Sequence, residues 1–259
     1  MDLQLQGKHV LITGGSRGIG LACAREFLRE GCRVSLVGRD AQRMEQARAS
    51  LGAGVAGFCA DLRDTQAALR AVDAAEQGHG AIDILVSSAG AARRTPYAEL
   101  DPQAWRDAMD SKFFATLNVL DPVVRRMGGR GAGSVVNVIG MGGKVATPTH
   151  LPGGAANAAL MLASAGLAAA WGSRGVRVNA VNPTLTLTDR LAEGLAADAR
   201  LRGKSVEEVR RAAEEKMPLG RLAQPEEIAA AVLFLASPRA SYISGAILSM
   251  DGAATPMVV

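Results

Sequence analysis

Short apolar runs recur along the chain, separated by helix-length segments of mixed polarity. The runs fall at 9–12, 34–37, 55–59, 82–87, 134–139, 176–181 and 246–250. Each is continuous rather than alternating, the pattern of a strand buried on both faces. Segments with helical character lie between most of them, at 41–51, 65–77, 102–127, 152–171 and 225–237. Strands of this kind alternating with helices predict an α/β fold: a doubly wound parallel sheet in a single domain. Ligands are then expected at the carboxyl ends of the strands. Only 184–220 breaks the rhythm. It is long, polar and charged, and reads either as a lid over the ligand or as a surface excursion, the lid being preferred.

The junction after the first run carries the most specific signal. His9, Val10, Leu11 and Ile12 form the run, and Ile19, Ala22, Cys23 and Phe27 follow at helical spacing. Between them lies Thr13-Gly14-Gly15-Ser16-Arg17-Gly18-Ile19-Gly20. Glycines in a strand-to-helix turn let the backbone approach a pyrophosphate closely, and the new helix turns its free N–H groups and positive dipole end toward the phosphate. Many turns are rich in glycine for structural reasons alone. A glycine set placed between a first strand and a helix reads instead as a Rossmann-type dinucleotide site.

Composition bounds the remaining options. The chain has 259 residues, 48% of them hydrophobic and 3% aromatic, which suits one large domain with an aliphatic core. A net charge of +4 is mild, and the densest basic group, Arg125, Arg126 and Arg130, reads as a solvated helix end rather than a nucleic-acid surface. Three cysteines, Cys23, Cys32 and Cys59, lack the spacing of a disulfide framework or a metal site. The sequence enters its first strand almost at once, leaving no room for a signal peptide and predicting a cytoplasmic location. Residues 151–171 lack charge and are long enough to span a bilayer. Their alanine content, Pro152, Gly153, Gly154, Asn157 and Gly166 favour a helix buried between protein surfaces.

Further motifs identify a family resemblance. Asp61-Leu62 follows the third strand and Ser87-Ser88-Ala89-Gly90 the fourth; Arg177-Val178-Asn179, Asn182-Pro183, Tyr242-Ile243-Ser244-Gly245 and Asp251-Gly252 come later. With the glycine turn, these make the chain resemble a short-chain dehydrogenase/reductase over nearly its whole length. The resemblance implies a nicotinamide cofactor held by Gly14, Ser16, Arg17, Gly18, Ile19 and Gly20, with Asp61 and the Leu62 backbone at the adenine. It adds Ala89, Gly90, Pro183, Thr184 and Thr186 to that set. Selection for NAD usually places a carboxylate at the end of the second strand, where this chain has Gly38 followed by Arg39. Arg39 and Arg17 can both face a 2′-phosphate, so NADP(H) is expected over NAD(H).

The family's catalytic residues are missing from their expected positions. The family uses a serine after the fifth strand, a Tyr-x-x-x-Lys on the next helix and an asparagine on the helix before. Its tyrosine handles the carbonyl proton, and its lysine lowers the tyrosine pKa and holds the nicotinamide ribose. Aligned on the fifth strand and on Trp105, these positions carry Gly140, Gly153, Asn157 and Lys112. The tyrosines of the chain, Tyr97 and Tyr242, lie elsewhere, and neither is followed four positions later by lysine. His150, just ahead of Gly153, is a candidate proton donor because histidine titrates in a useful range; a polar residue at a helix entrance is the plainer reading. Lys112 is expected to restore the positive charge lost at Asn157, against the alternative of an ordinary surface lysine. Lys144, Thr147 and Thr149 precede the helix and could orient a ligand or merely solvate a loop. Thr184 replaces a glycine usual after the proline, and Ala253 another after Asp-Gly.

These features leave three functions open. One is an NADP(H)-dependent oxidoreductase acting on a small-molecule carbonyl or alcohol through an unusual proton donor. The second is a catalytically silent nucleotide-binding protein, and the third a non-redox enzyme on the same scaffold. No metal, nucleic acid or membrane partner is expected. By resemblance, helices 102–127 and 152–171 pair across a two-fold axis into a homodimer or homotetramer.

Overall fold

The computed structural model describes residues 1–52, 54–92 and 94–256; residues 53, 93 and 257–259 of the expected domain lie outside the described residues. Its strands are β1 (His9–Thr13), β2 (Arg33–Gly38), β3 (Val55–Cys59), β4 (Ile84–Ser87), β5 (Gly133–Val138), β6 (Val176–Pro183) and β7 (Ile247–Met250). They form one seven-stranded sheet in the order β3-β2-β1-β4-β5-β6-β7. Every neighbouring pair is parallel. Strand order reverses between β1 and β4, which opens a ligand crevice at their carboxyl ends.

The helices are α1 (Gly18–Arg29), α2 (Ala41–Leu51), α3 (Thr65–His79), α4 (Pro102–Ala108), α5 (Ala115–Arg130), α6 (Leu151–Trp171), α7 (Asp189–Arg202), α8 (Val206–Glu214) and α9 (Pro225–Ala236). They cover both faces of the sheet. Val10 and Ile12 of β1 join Phe27 of α1 and Ile228 and Val232 of α9 in one layer. Leu11 between them joins Val72 of α3 and Val119, Leu120 and Val123 of α5 in the other. This period-two division explains why the strands read as continuous apolar runs. Complete burial of such a side chain stabilises by about 1.5–3 kcal/mol.

Two departures from the sequence pattern bear on function. The helix expected at 102–127 is divided: a π-helical segment, Met109–Phe114, separates α4 from α5, and α5 runs on to Arg130. Such wide turns recur at functional sites, and this one carries Lys112. The irregular segment 184–220 contains α7 and α8, started by Thr188 and by a Ser205/Glu208 capping box. Among the described residues one helix, Leu151–Arg174, is long and apolar enough to cross a membrane, and 44% of its apolar window is buried in the protein. The burial expected of α6 is therefore one-sided, and Leu162 is 77% exposed. The basic group at the end of α5 is solvent-accessible and also paired: Arg126 contacts Asp73 and Glu76, and Arg125 contacts Asp121. The cysteines are all free, Cys59 alone being exposed.

Candidate functional site

At the crevice, backbone packing dictates glycine. Gly14 has φ +68°, and a Cβ there would lie 2.8 Å from the Ala89 nitrogen and the Ser88 carbonyl. The turn after β1 therefore sits directly on the chain leaving β4. Ser88 N–H donates to Thr13 O at 3.1 Å and Ala89 N–H to Thr13 Oγ1 at 3.3 Å, fixing that contact. Gly18 has φ +56°, and a Cβ on Gly20 would strike the Gly14 carbonyl. The α1 N-terminus has no side-chain cap and no acid in its first turn. In contrast, α2, α3, α4, α7 and α8 are capped by Asp40, Asp64, Asp101, Thr188 and Ser205. An uncapped N-terminus behind a glycine cradle fits an anionic phosphate.

Charge around this crevice is mainly positive. Gly38 ends β2, and a Cβ there would lie 3.4 Å from Ser16 Oγ, so Ser16 packs where a family carboxylate begins. Arg39 follows, exposed. Asp61 is engaged by Arg63, with Nε at 3.0 Å and Nη2 at 2.5 Å from Oδ2, and this contact first, with the charge of Arg39 among the lesser causes, holds its carboxyl below the usual range. Arg63 was not anticipated from sequence. The Leu62 carbonyl accepts from Asn118 Nδ2 at 2.9 Å.

The family's catalytic positions converge. Asn157 is buried on α6 and donates Nδ2 to the Gly140 carbonyl at 2.9 Å, while its Oδ1 has no partner among the described residues. A Cβ on Gly153 would lie 2.5 Å from His150 Nε2 and 2.8 Å from Ala92 Cβ. The His150 ring thus fills the space in which a side chain at 153 would start. His150 Nδ1 is buried without a partner among the described residues, and burial, then the charges of Lys112 and Arg94, push its pKa down to about 4. Lys112 packs on the other strand end: the Cβ position of Gly90 is 3.5 Å from its Cα and Cγ. Burial first, and then the charge of Arg190, lowers the Lys112 pKa to about 8.

Contacts from 184–220 reach the same crevice. Pro183 closes β6, and Thr184 N–H donates to Met250 O at 3.3 Å. Thr186 is buried and bridges to Ala223. Thr188 lies against Gly18, its Cγ2 3.2 Å from the Cβ position. Glu193 is 3.7 Å from Arg17, and Arg190 Nη1 donates to Gly90 O at 2.9 Å. Neither Thr188 nor Arg190 was singled out from the sequence. Lys144 is turned away from this region, donating to Ser249 Oγ at 3.0 Å, and Thr147 and Thr149 are exposed.

Comparisons with known proteins agree with this geometry. A family model described as enoyl-(acyl carrier protein) reductase matches residues 14–255. D-threitol dehydrogenase of Mycolicibacterium smegmatis is 38% identical over 257 residues, covering 98% of this chain and 95% of the relative. L-sorbose reductase from Gluconobacter frateurii, complexed with NADPH and L-sorbose, superposes with a TM-score of 0.94 at 29% identity, covering 100% of both chains. A point variant of actinorhodin polyketide ketoreductase with NADPH gives 0.91 at 28% identity, covering 95% of this chain and 97% of the other. The fold is thus that of a nicotinamide-nucleotide-binding oxidoreductase. The chain belongs to the short-chain dehydrogenase/reductase family.

Proposed function

We propose that the protein is an NADP(H)-dependent oxidoreductase that interconverts a small carbonyl compound and its alcohol, with Lys112 as the proton-handling group. The observation that carries this reading is the half-buried Lys112 packed on Gly90 beside His150, in the crevice that the glycine turn opens. When bound, the nicotinamide supplies or accepts the hydride. Gly14, Ser16, Arg17, Gly18, Ile19 and Gly20 hold its phosphates, with Asp61 and Leu62 at the adenine. Ala89, Gly90, Pro183, Thr184 and Thr186 line the nicotinamide end. Arg39 and Arg17 select the 2′-phosphate, a choice supported by the NADPH in both solved relatives.

A general acid must be protonated near working pH and give up its proton readily. Lys112, at about 8, meets both conditions. His150, at about 4, is neutral at pH 7 and does not supply the proton. In reduction, the Lys112 ammonium protonates the carbonyl oxygen as carbon receives hydride, then recovers a proton from solvent. Asn157, tied to Gly140, shapes this floor rather than replacing the family's lysine.

The substrate class follows relatives named for D-threitol and L-sorbose, both small and polyhydroxylated. Segment 184–220 acts as the lid, supported by the contacts of Thr188, Arg190 and Glu193 with the crevice. Exposed Phe114 and Leu162 support pairing of copies through α5 and α6 as a homodimer or homotetramer in the cytoplasm. A silent binder is the second reading, favoured by Gly140 and Gly153, which put no side chain where the family has its serine and tyrosine.

NADPH titration by fluorescence, followed by a screen of aldehydes, ketoses and quinones for NADPH oxidation, tests the proposal. Turnover that is lost in Lys112→Met supports it. Tight NADPH binding with no turnover on any class favours the silent reading.

A further inference from the structure

A buried hydrogen-bond chain lies at the amino edge of the sheet, opposite the crevice. His9 opens β1 and Ser35 lies on β2, both fully enclosed, while His79 ends α3 and is half-buried. His9 Nδ1 is 2.7 Å from Gly80 O, His9 Nε2 is 2.9 Å from Ser35 Oγ, and Ser35 Oγ is 3.3 Å from His79 Nδ1. The two rings meet edge to face, with centroids 5.4 Å apart.

The acceptors fix where the hydrogens sit. A carbonyl only accepts, so His9 Nδ1 carries the hydrogen and Nε2 of the neutral ring is bare. Ser35 then points its hydroxyl hydrogen at His9 Nε2, which leaves its lone pairs for His79 Nδ1–H. The chain runs one way, from His79 through Ser35 to His9 and on to Gly80 O. Within it, only His79 Nε2 remains free to accept a proton.

Once His79 is protonated, a concerted shift is open. Its Nδ1 hydrogen moves to Ser35 Oγ as the Ser35 hydrogen moves to His9 Nε2. Charge passes to His9, and His79 is left neutral with its hydrogen on Nε2. A second proton finds no such place. Both nitrogens facing Ser35 would then carry hydrogens, stranding the serine hydrogen in an enclosed site between two imidazolium rings.

Neighbouring charges act on the same unit. Arg33 of β2 donates to His79 O and, at 3.1 Å, to Gly7 O, and its charge opposes protonation of both rings. Asp83 accepts from His9 N–H at 2.8 Å, favours charge on His9 and pairs with Lys8 at 3.6 Å. Glu76 of α3 is engaged by Ile82 N–H and by Arg126 and Arg130 of α5. Together these residues fasten the turn at 79–83 to the sheet, where Asp83 N–H donates to His9 O at 3.0 Å.

We propose that His9, Ser35 and His79 form a pH-sensitive latch, which shares one proton between the two rings and releases the turn at 79–83 when a second is forced on it. Two groups coupled this closely titrate as a pair.

Proton–nitrogen NMR of the imidazole rings, followed from pH 8 downward in the native protein and in Ser35→Ala, tests the sharing, with His9→Gln and His79→Gln assigning the signals. In the native protein both rings should shift at one common midpoint and together take up one proton. Ser35→Ala should leave His79 titrating alone and fully, with His9 neutral over the same range. Amide exchange tests the release. The open turn binds one proton more than the closed unit, so protection at Asp83 should fall relative to Val86 by about tenfold per pH unit below the ordinary histidine value. His79 titrating alone in the native protein, both rings fully protonated in the folded state, or a common midpoint that persists in Ser35→Ala would each overturn the shared proton. Protection at Asp83 that tracks Val86 would overturn the latch. The native titration decides the sharing even if Ser35→Ala does not fold.

Discussion

His150 occupies the space that a side chain at position 153 would need: its Nε2 lies 2.5 Å from the Cβ position of Gly153. The glycine and the histidine are therefore one structural decision. Gly153→Ala should destabilise by about 1–3 kcal/mol through overpacking. The double variant His150→Ala/Gly153→Ala should recover most of that loss. Urea unfolding of the four proteins reads the coupling, and additive effects would show that the two sites are independent.

The proposed preference for NADP(H) turns on Arg39, just after β2, where Gly38 leaves no acid to hold a ribose hydroxyl. Arg39→Ala should weaken NADPH by about tenfold or more, the worth of a charge-assisted contact, and leave NADH nearly unchanged. Equal weakening of both nucleotides in fluorescence titration would place Arg39 away from the 2′-phosphate.

A half-buried guanidinium clamps the far end of the sheet. Arg177 donates to the carbonyls of Leu235, Ala236, Ser237 and Ile243 and to Ser134 Oγ, which caps the C-terminus of α9 and fixes the approach to β7. Arg177→Met should cost about 2–4 kcal/mol, because it leaves carbonyls buried without donors. Chemical denaturation measures it, and a change within experimental error would mean that water replaces the clamp.

The three histidines share a direction. Burial is the first cause that lowers His9 and His79, and His150 is held at about 4. His9 Nδ1 hydrogen-bonds Gly80 O at 2.7 Å, and Nε2 hydrogen-bonds Ser35 Oγ at 2.9 Å. A folded pKa below the unfolded value of 6.5 means that the unfolded chain binds more protons as pH falls. Their contribution is thus complete above about pH 6.5 and is lost as pH falls toward the folded values. The urea midpoint should drop between pH 7 and pH 5, and less steeply in His9→Gln. A midpoint constant over that range would contradict the assignment.

Much of this was legible in the chain. The continuous apolar runs marked the strands because both sheet faces are buried, and the glycine turn marked the crevice because Gly14 has no room for a Cβ. Gly140 and Asn157 were singled out separately in the sequence; that they meet through a hydrogen bond was not legible there. What stayed hidden depends on tertiary contact. No local pattern announces a π-helical turn, so Lys112 read as a residue of one continuous helix. Arg190 lies far from Gly90 in sequence, and the depressed pKa values of Lys112 and His150 arise from burial that no spacing rule reports. The helices within 184–220 went unread because the stretch is polar and charged; their caps, Thr188 and the Ser205/Glu208 pair, are seen in the structure.

The pH profile of carbonyl reduction with saturating NADPH, in the native protein and in Lys112→Met, bears most directly on Lys112 as the proton source. Its ammonium is the donating form and titrates at about 8. Reduction should therefore hold at neutral pH and fall as pH rises through about 8. Lys112→Met should lose about 10²–10⁴-fold in kcat, together with that alkaline limb. Full activity in Lys112→Met, or an unchanged alkaline limb, would contradict the account.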